Sequence, residues 1–144
     1  MSTTIERPVG EVWARLVDLD TAHHWMTGVT RVEIIDGEGD PIADPPPLAA
    51  GTRYRFYARG GTVLGRVDAF EPQALLTLAA DHAGVSAIYS YSVSALDDAS
   101  TRVELHARCE APGFWRHFHP VLNFLMRRSD GDQLEDFRRH VERA

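Results

Sequence analysis

From Gly51 to Glu110 the apolar residues recur at every second position, run after run. Tyr54, Phe56 and Ala58 alternate with Arg53, Arg55, Tyr57 and Arg59. Thr62–Phe70 follows the Gly60-Gly61 pair as a hairpin partner. Leu76, Leu78 and Ala80 continue the alternation, with His82 on their parity. Tyr89, Tyr91, Val93 and Ala95 alternate with three serines. Val103, Leu105, Ala107 and Cys109 alternate with charged residues and His106. A period of two puts successive side chains on opposite faces of a strand. Turn residues at Glu71-Pro72-Gln73, Ala83-Gly84 and Asp97–Ser100 separate the runs. The pattern predicts an antiparallel meander with one dry and one wet face.

A dry face must be covered. The flanking segments supply helices for this. Val9, Val12, Trp13, Leu16 and Val17 fall on one helical face behind Pro8, and Pro8 suits a first helical position. In "DTAHHWMTGV" Asp20 is expected to cap a second short helix, and Gly28 to stop it. Thr3–Glu6 and Thr30–Ile35 read as strands. Asp36–Ala50 carries "DPPPLAA" and reads as a long acidic loop, either mobile or a flap. From Pro120 to Val141 a helix of ~22 residues, ~33 Å long, is expected. Phe118, Val121, Leu122, Leu125 and Met126 form one stripe on it; Leu134, Phe137 and Val141 form another, with Gly131 between. Only this helix is long enough to cover the sheet. The class is therefore α+β: about seven curved antiparallel strands around a long C-terminal helix, with two short helices after the first strand. One domain is expected over residues 1–144.

Charge and composition narrow the function. The net charge is −6, which disfavours nucleic acid and anionic membrane surfaces as partners. All 15 basic residues are arginine, so no lysine can form a Schiff base. A single cysteine, Cys109, rules out an internal disulfide or a thiolate cluster for zinc, and it reads as an inert buried thiol. No apolar run approaches the ~20 residues of a membrane span, and "MSTTIERP" has no apolar signal core. A soluble cytoplasmic protein, monomer or homodimer, is expected.

Several phrases, in order, resemble the START-like, or SRPBCC, superfamily, in its polyketide cyclase/dehydrase and lipid-transport branch. They are Arg7-Pro8-Val9 with Val12-Trp13, Leu16, Asp18 and then Trp25; Gly51-Thr52-Arg53-Tyr54-Arg55; Val67-Asp68-Ala69-Phe70-Glu71-Pro72 with Leu75; and Thr101-Arg102-Val103. The resemblance covers almost the whole chain. It implies a helix-grip fold with an internal pocket for a small apolar or amphipathic ligand. It transfers no catalytic residue, because the superfamily shares no catalytic motif. The first strand is shorter, and the loop longer and richer in proline, than the pattern leads one to expect.

In such a fold the dry parity lines the pocket. The expected walls are Trp25, Phe56, Leu78, Tyr89 and Tyr91, then Val103 and Leu105, with Phe118, Leu122, Leu125 and Met126 from the helix side. His82 would stand at the mouth. The phenols would orient a ligand by a few hydrogen bonds. No cofactor is called for. His117 and His119 lack a third ligand for zinc, and His23 and His24 point ~100° apart on a helix, so no metal site is expected. His106 and the neighbourhood of His140 read as wet, and the arginines as a solvated surface. Three functions stay open: a binder of a small apolar ligand, an enzyme of the cyclase or dehydratase type in which His82 or a tyrosine passes a proton, and a protein-interaction or chaperone-activator module.

Overall fold

The computed structural model describes residues 1–26, 29–58, 61–82, 85–110 and 133–143, without the side chains of Ala58, His82, Val85, Cys109 and Glu110. The expectations for Gly28, His117, Phe118, His119, Leu122, Leu125, Met126 and Gly131, and for the first turns of the C-terminal helix, lie outside these residues. The alternating runs form strands: β2 Val29–Ile35, β3 Arg53–Ala58, β4 Gly61–Glu71, β5 Leu75–His82, β6 Val85–Asp97 and β7 Ser100–Glu110. Each pairs antiparallel with the next in sequence. The N-terminal strand β1, Ser2–Ile5, closes the far edge by pairing its four residues with Thr101–Glu104 of β7. The sheet has seven strands in the order β1-β7-β6-β5-β4-β3-β2. This is the α+β helix-grip fold that the sequence implies.

Three register shifts, at Val29/Arg31, Val67/Ala69 and Ala95/Asp97, mark bulges. A bulge bends its strand and raises its twist, which curves the sheet. It also resets the side-chain alternation. Val67 and Phe70 both meet the core although their spacing is odd.

The helix α1 spans Val9–Leu16 and buries Val12, Trp13 and Leu16. Glu11 in its first turn and Arg15 in its last complement the helix dipole. Pro8 stands one position earlier than expected, as the N-cap, and its carbonyl accepts the amides of Glu11 and Val12. The next segment, Leu19–His24, is a 3-10 helix rather than an α-helix. Asp20 does not cap it: Asp18 holds the capping position, without a side-chain bond, and its carbonyl accepts the amide and hydroxyl of Thr21. Asp20 is the second residue inside the run, past the position from which a side chain caps its start. The loop before β3 is tied down at both ends. The Asp36 carboxylate accepts the amides of Glu38 and Asp40, Arg53 and Arg55 donate to the carbonyls of Gly37 and Gly39, and Gly51 donates to Val67. Its prolines Pro45–Pro47 line a groove with Trp13 and Phe70.

The C-terminal helix α2 covers residues 133–142 of the described chain. Leu134, Phe137 and Val141 form the buried stripe that the periodicity predicts. Three of its hydrogen bonds reach the N-terminal segment. Thr3 donates to Glu135, the Glu6 amide to the Glu142 carboxylate, and Arg7 to the Glu142 carbonyl at 2.7 Å. One buried polar contact holds the same corner: Thr101, 0% exposed, donates its hydroxyl to the Arg7 carbonyl at 2.8 Å. Thr101→Val leaves that carbonyl without its donor and is expected to cost about 1–2 kcal/mol in urea unfolding. A change under about 0.3 kcal/mol would show that water replaces the hydroxyl.

Candidate functional site

A cavity of about 150 Å³ opens between the sheet and the segments that cover it. The sheet contributes Val29 and Val32 of β2, Tyr54 and Phe56 of β3, Leu78 and Ala80 of β5, and Tyr89 and Tyr91 of β6, on either side of β4. Leu19 and Met26, from the 3-10 segment and its exit, and Gln133 of α2 line the rest. No ionised side chain is among these residues.

The polar atoms are phenols and one amide. Gln133 donates from Nε2 to the Tyr91 hydroxyl at 2.8 Å, which joins α2 to β6. Tyr54 stacks on Phe56, with ring centroids 5.9 Å apart and planes 21° from parallel. The Tyr54 ring lies across Gly65, its partner on β4. Its hydroxyl points to the Ala79 carbonyl on β5, 3.4 Å away. That reach needs the glycine. A Cβ at Gly65 would stand 2.5 Å from Tyr54 Cζ and 2.6 Å from its hydroxyl. Burial holds the Tyr54 hydroxyl far above the usual phenol range; nearby Tyr89 adds to this and Arg66 opposes it. Tyr54 is therefore a neutral donor at any physiological pH, not a base.

Of the residues chosen from sequence, Phe56, Leu78, Tyr89 and Tyr91 meet at this cavity. Trp25 stands behind it. It is 2% exposed, edge-on to Tyr91 at 5.9 Å and 4.7 Å from Phe137. Its Nε1 is buried with no hydrogen-bond partner among the described residues. Val103 and Leu105 are buried in the core but do not line the cavity, because β7 lies beyond the four strands that do. The His82 side chain and Phe118, Leu122, Leu125 and Met126 lie outside the described residues. Sequence reasoning missed Leu19, Met26, Val29, Val32, Tyr54, Ala80 and Gln133. Tyr54 and Ala80 carried a usable signal, since they share parity with Phe56 and Leu78.

Among the described residues no three His, Cys, Asp or Glu side chains gather to hold a metal ion. No helix among them is long and apolar enough to cross a membrane. The site can hold and orient a small apolar molecule with a polar substituent.

Known proteins give the site a context. The family model described as polyketide cyclase / dehydrase and lipid transport matches residues 1–142. No curated protein matches the chain in sequence. Solved structures do match in fold. The ZhuI aromatase/cyclase from Streptomyces sp. R1128 superposes with a TM-score of 0.74 at 17% identity, over 99% of this chain and 92% of that one. The di-domain ARO/CYC BexL from the BE-7585A biosynthetic pathway gives 0.76 at 14% identity, over 99% of this chain and 45% of that one. A conserved protein from Geobacillus kaustophilus gives 0.69 at 14% identity, over 99% and 93%. At these identities the likeness shows the fold alone.

Proposed function

From its membership of the polyketide cyclase/dehydrase and lipid transport family, we propose that the chain binds a small, largely apolar molecule in the cavity between its sheet and α2. One observation carries this reading: a cavity of about 150 Å³ lined by apolar side chains and three tyrosines, of which Tyr54 is held neutral by burial. A dry cavity of about this volume accepts a single aromatic ring. Burial of the ligand would drive binding at ~25 cal/mol per Å² before association costs. The phenols would select a ligand that presents a hydroxyl or carbonyl. The expected ligand is an aromatic that seats one ring with such a substituent in the cavity, or the head of a longer apolar chain.

A cyclase or dehydratase reading rests on the two aromatase/cyclase structures that share the fold. It asks more of the site. A general base works best with a pKa near the operating pH, and the Tyr54 phenol is displaced the opposite way. The cavity supports holding and folding a reactive chain better than moving its protons.

Thermal-shift measurements with 1-naphthol, a sterol and a fatty acid test the reading. At a hundred times its Kd a ligand adds about 2.7 kcal/mol, so melting should rise by several degrees for the aromatic. No shift with any of the three would overturn it.

A further inference from the structure

The adjacent histidines of "DTAHHWM" do not stand alone. His23 and His24 end the 3-10 segment, and their ring centroids are 4.1 Å apart. His140 of α2 stacks on His24 at 5.6 Å, with ring planes 18° apart. The His140 Nε2 is buried with no hydrogen-bond partner among the described residues. A second pair of rings lies next along the same two segments, Trp25 against Phe137 at 4.7 Å. Trp25 then meets Tyr91, and Tyr91 is held by Gln133. Thus the two segments joined by the histidine stack also carry Leu19, Met26 and Gln133 of the cavity wall.

We propose that the His23–His24–His140 stack is a proton-operated latch on the cavity: neutral rings hold α2 against the 3-10 segment, and protonation drives them apart and releases the ligand. The regulatory part rests on the ligand-binding reading above. The charges around the stack favour the neutral state. Arg15 of α1 and Arg139 and Arg143 of α2 add positive charge. Asp18 opposes them, and Asp20 stands exposed on the 3-10 segment. Asp136 is already paired with Arg139 at 3.4 Å. Burial above all, then Arg15 and His24, hold His140 below the usual histidine range. The folded protein therefore binds fewer protons here than the unfolded chain. Stability from this site is fully present above pH ~6.5 and falls as the pH drops below it. Ligand affinity should fall in the same window, because proton and ligand favour different states.

The test compares the wild-type chain with His140→Phe, which keeps a stacking ring and loses the titration. Contacts between Trp25 and Phe137 are read by NMR at pH 7.5 and 5.5, and 1-naphthol, neutral throughout, serves as the probe. The wild type should lose the Trp25–Phe137 contact at pH 5.5 and bind naphthol several-fold more weakly there, because proton and ligand favour different states. His140→Phe should keep both. An unchanged contact in the wild type at pH 5.5, or an equal loss in His140→Phe, would overturn the latch. If His140→Phe does not fold, His140→Leu, which likewise takes up no proton, serves in its place, with the same two readouts. Absent naphthol binding at both pH values would instead overturn the ligand-binding reading, and the ring contacts alone would then decide the latch.

Discussion

Gly65→Ala should weaken ligand binding about tenfold while leaving the chain folded. In an ordinary strand the change is favourable, because glycine in a strand interior costs roughly 0.5–1 kcal/mol relative to alanine. At Gly65 the sign reverses, since the new Cβ would stand 2.5 Å from Tyr54 Cζ. The Tyr54 ring is 3% exposed, and the cavity that it lines gives it space to move into. Overpacking of this kind costs about 1–3 kcal/mol. A ring that enters the cavity also denies the ligand its contact surface. At ~25 cal/mol per Å², a loss of ~60 Å² weakens binding by about 1.5 kcal/mol, about tenfold. Titration of 1-naphthol by NMR reads the affinity, and urea unfolding reads the stability. The double variant Tyr54→Ala/Gly65→Ala should recover binding, because the ring that blocks the cavity is gone. Wild-type affinity in Gly65→Ala would show that Tyr54 has another place to go.

Phe137→Ala should produce the largest loss of stability. Phe137 is 0% exposed and packs on Trp25 from the middle of the buried stripe of α2. Removing a buried phenylalanine costs about 3–5 kcal/mol, against a total of about 5–15 kcal/mol for a typical domain. Calorimetry should show melting about 10 °C lower. Phe137→Leu keeps most of the apolar volume and should cost less than about 1.5 kcal/mol. If Phe137→Ala melts within 2 °C of wild type, roughly the effect of 1 kcal/mol or less, α2 is not held by this contact.

The sheet was legible because its signal is local. Period-two alternation assigns each residue to a face without reference to any other strand, and Phe56, Leu78, Tyr89 and Tyr91 reached the cavity on that rule alone. A face is not a position, however. Val103 and Leu105 share the dry parity but sit on β7, two strands from β5 in the sheet. Tyr54 was on the correct face too, yet its role depends on the register that sets it opposite Gly65. Register is a pairing between distant residues, and composition does not report it. Leu19, Met26 and Gln133 come from segments brought over the sheet by tertiary packing, which no periodicity encodes. The histidine pair shows the same limit. Its partner His140 is 116 residues away by number (140 − 24) and reads as a wet position until α2 docks.

The space lined by Tyr54, Phe56, Leu78, Tyr89 and Tyr91 is the ligand site we propose. Intermolecular NOEs to bound 1-naphthol test it most directly. Contacts are expected from the naphthol ring to the Tyr54, Tyr89 and Leu78 side chains, and saturation of them should need about tenfold more naphthol in Gly65→Ala. Naphthol that binds with its contacts confined to the groove at Trp13, Phe70 and Pro45–Pro47, or that shows no saturable contact at all, would contradict it.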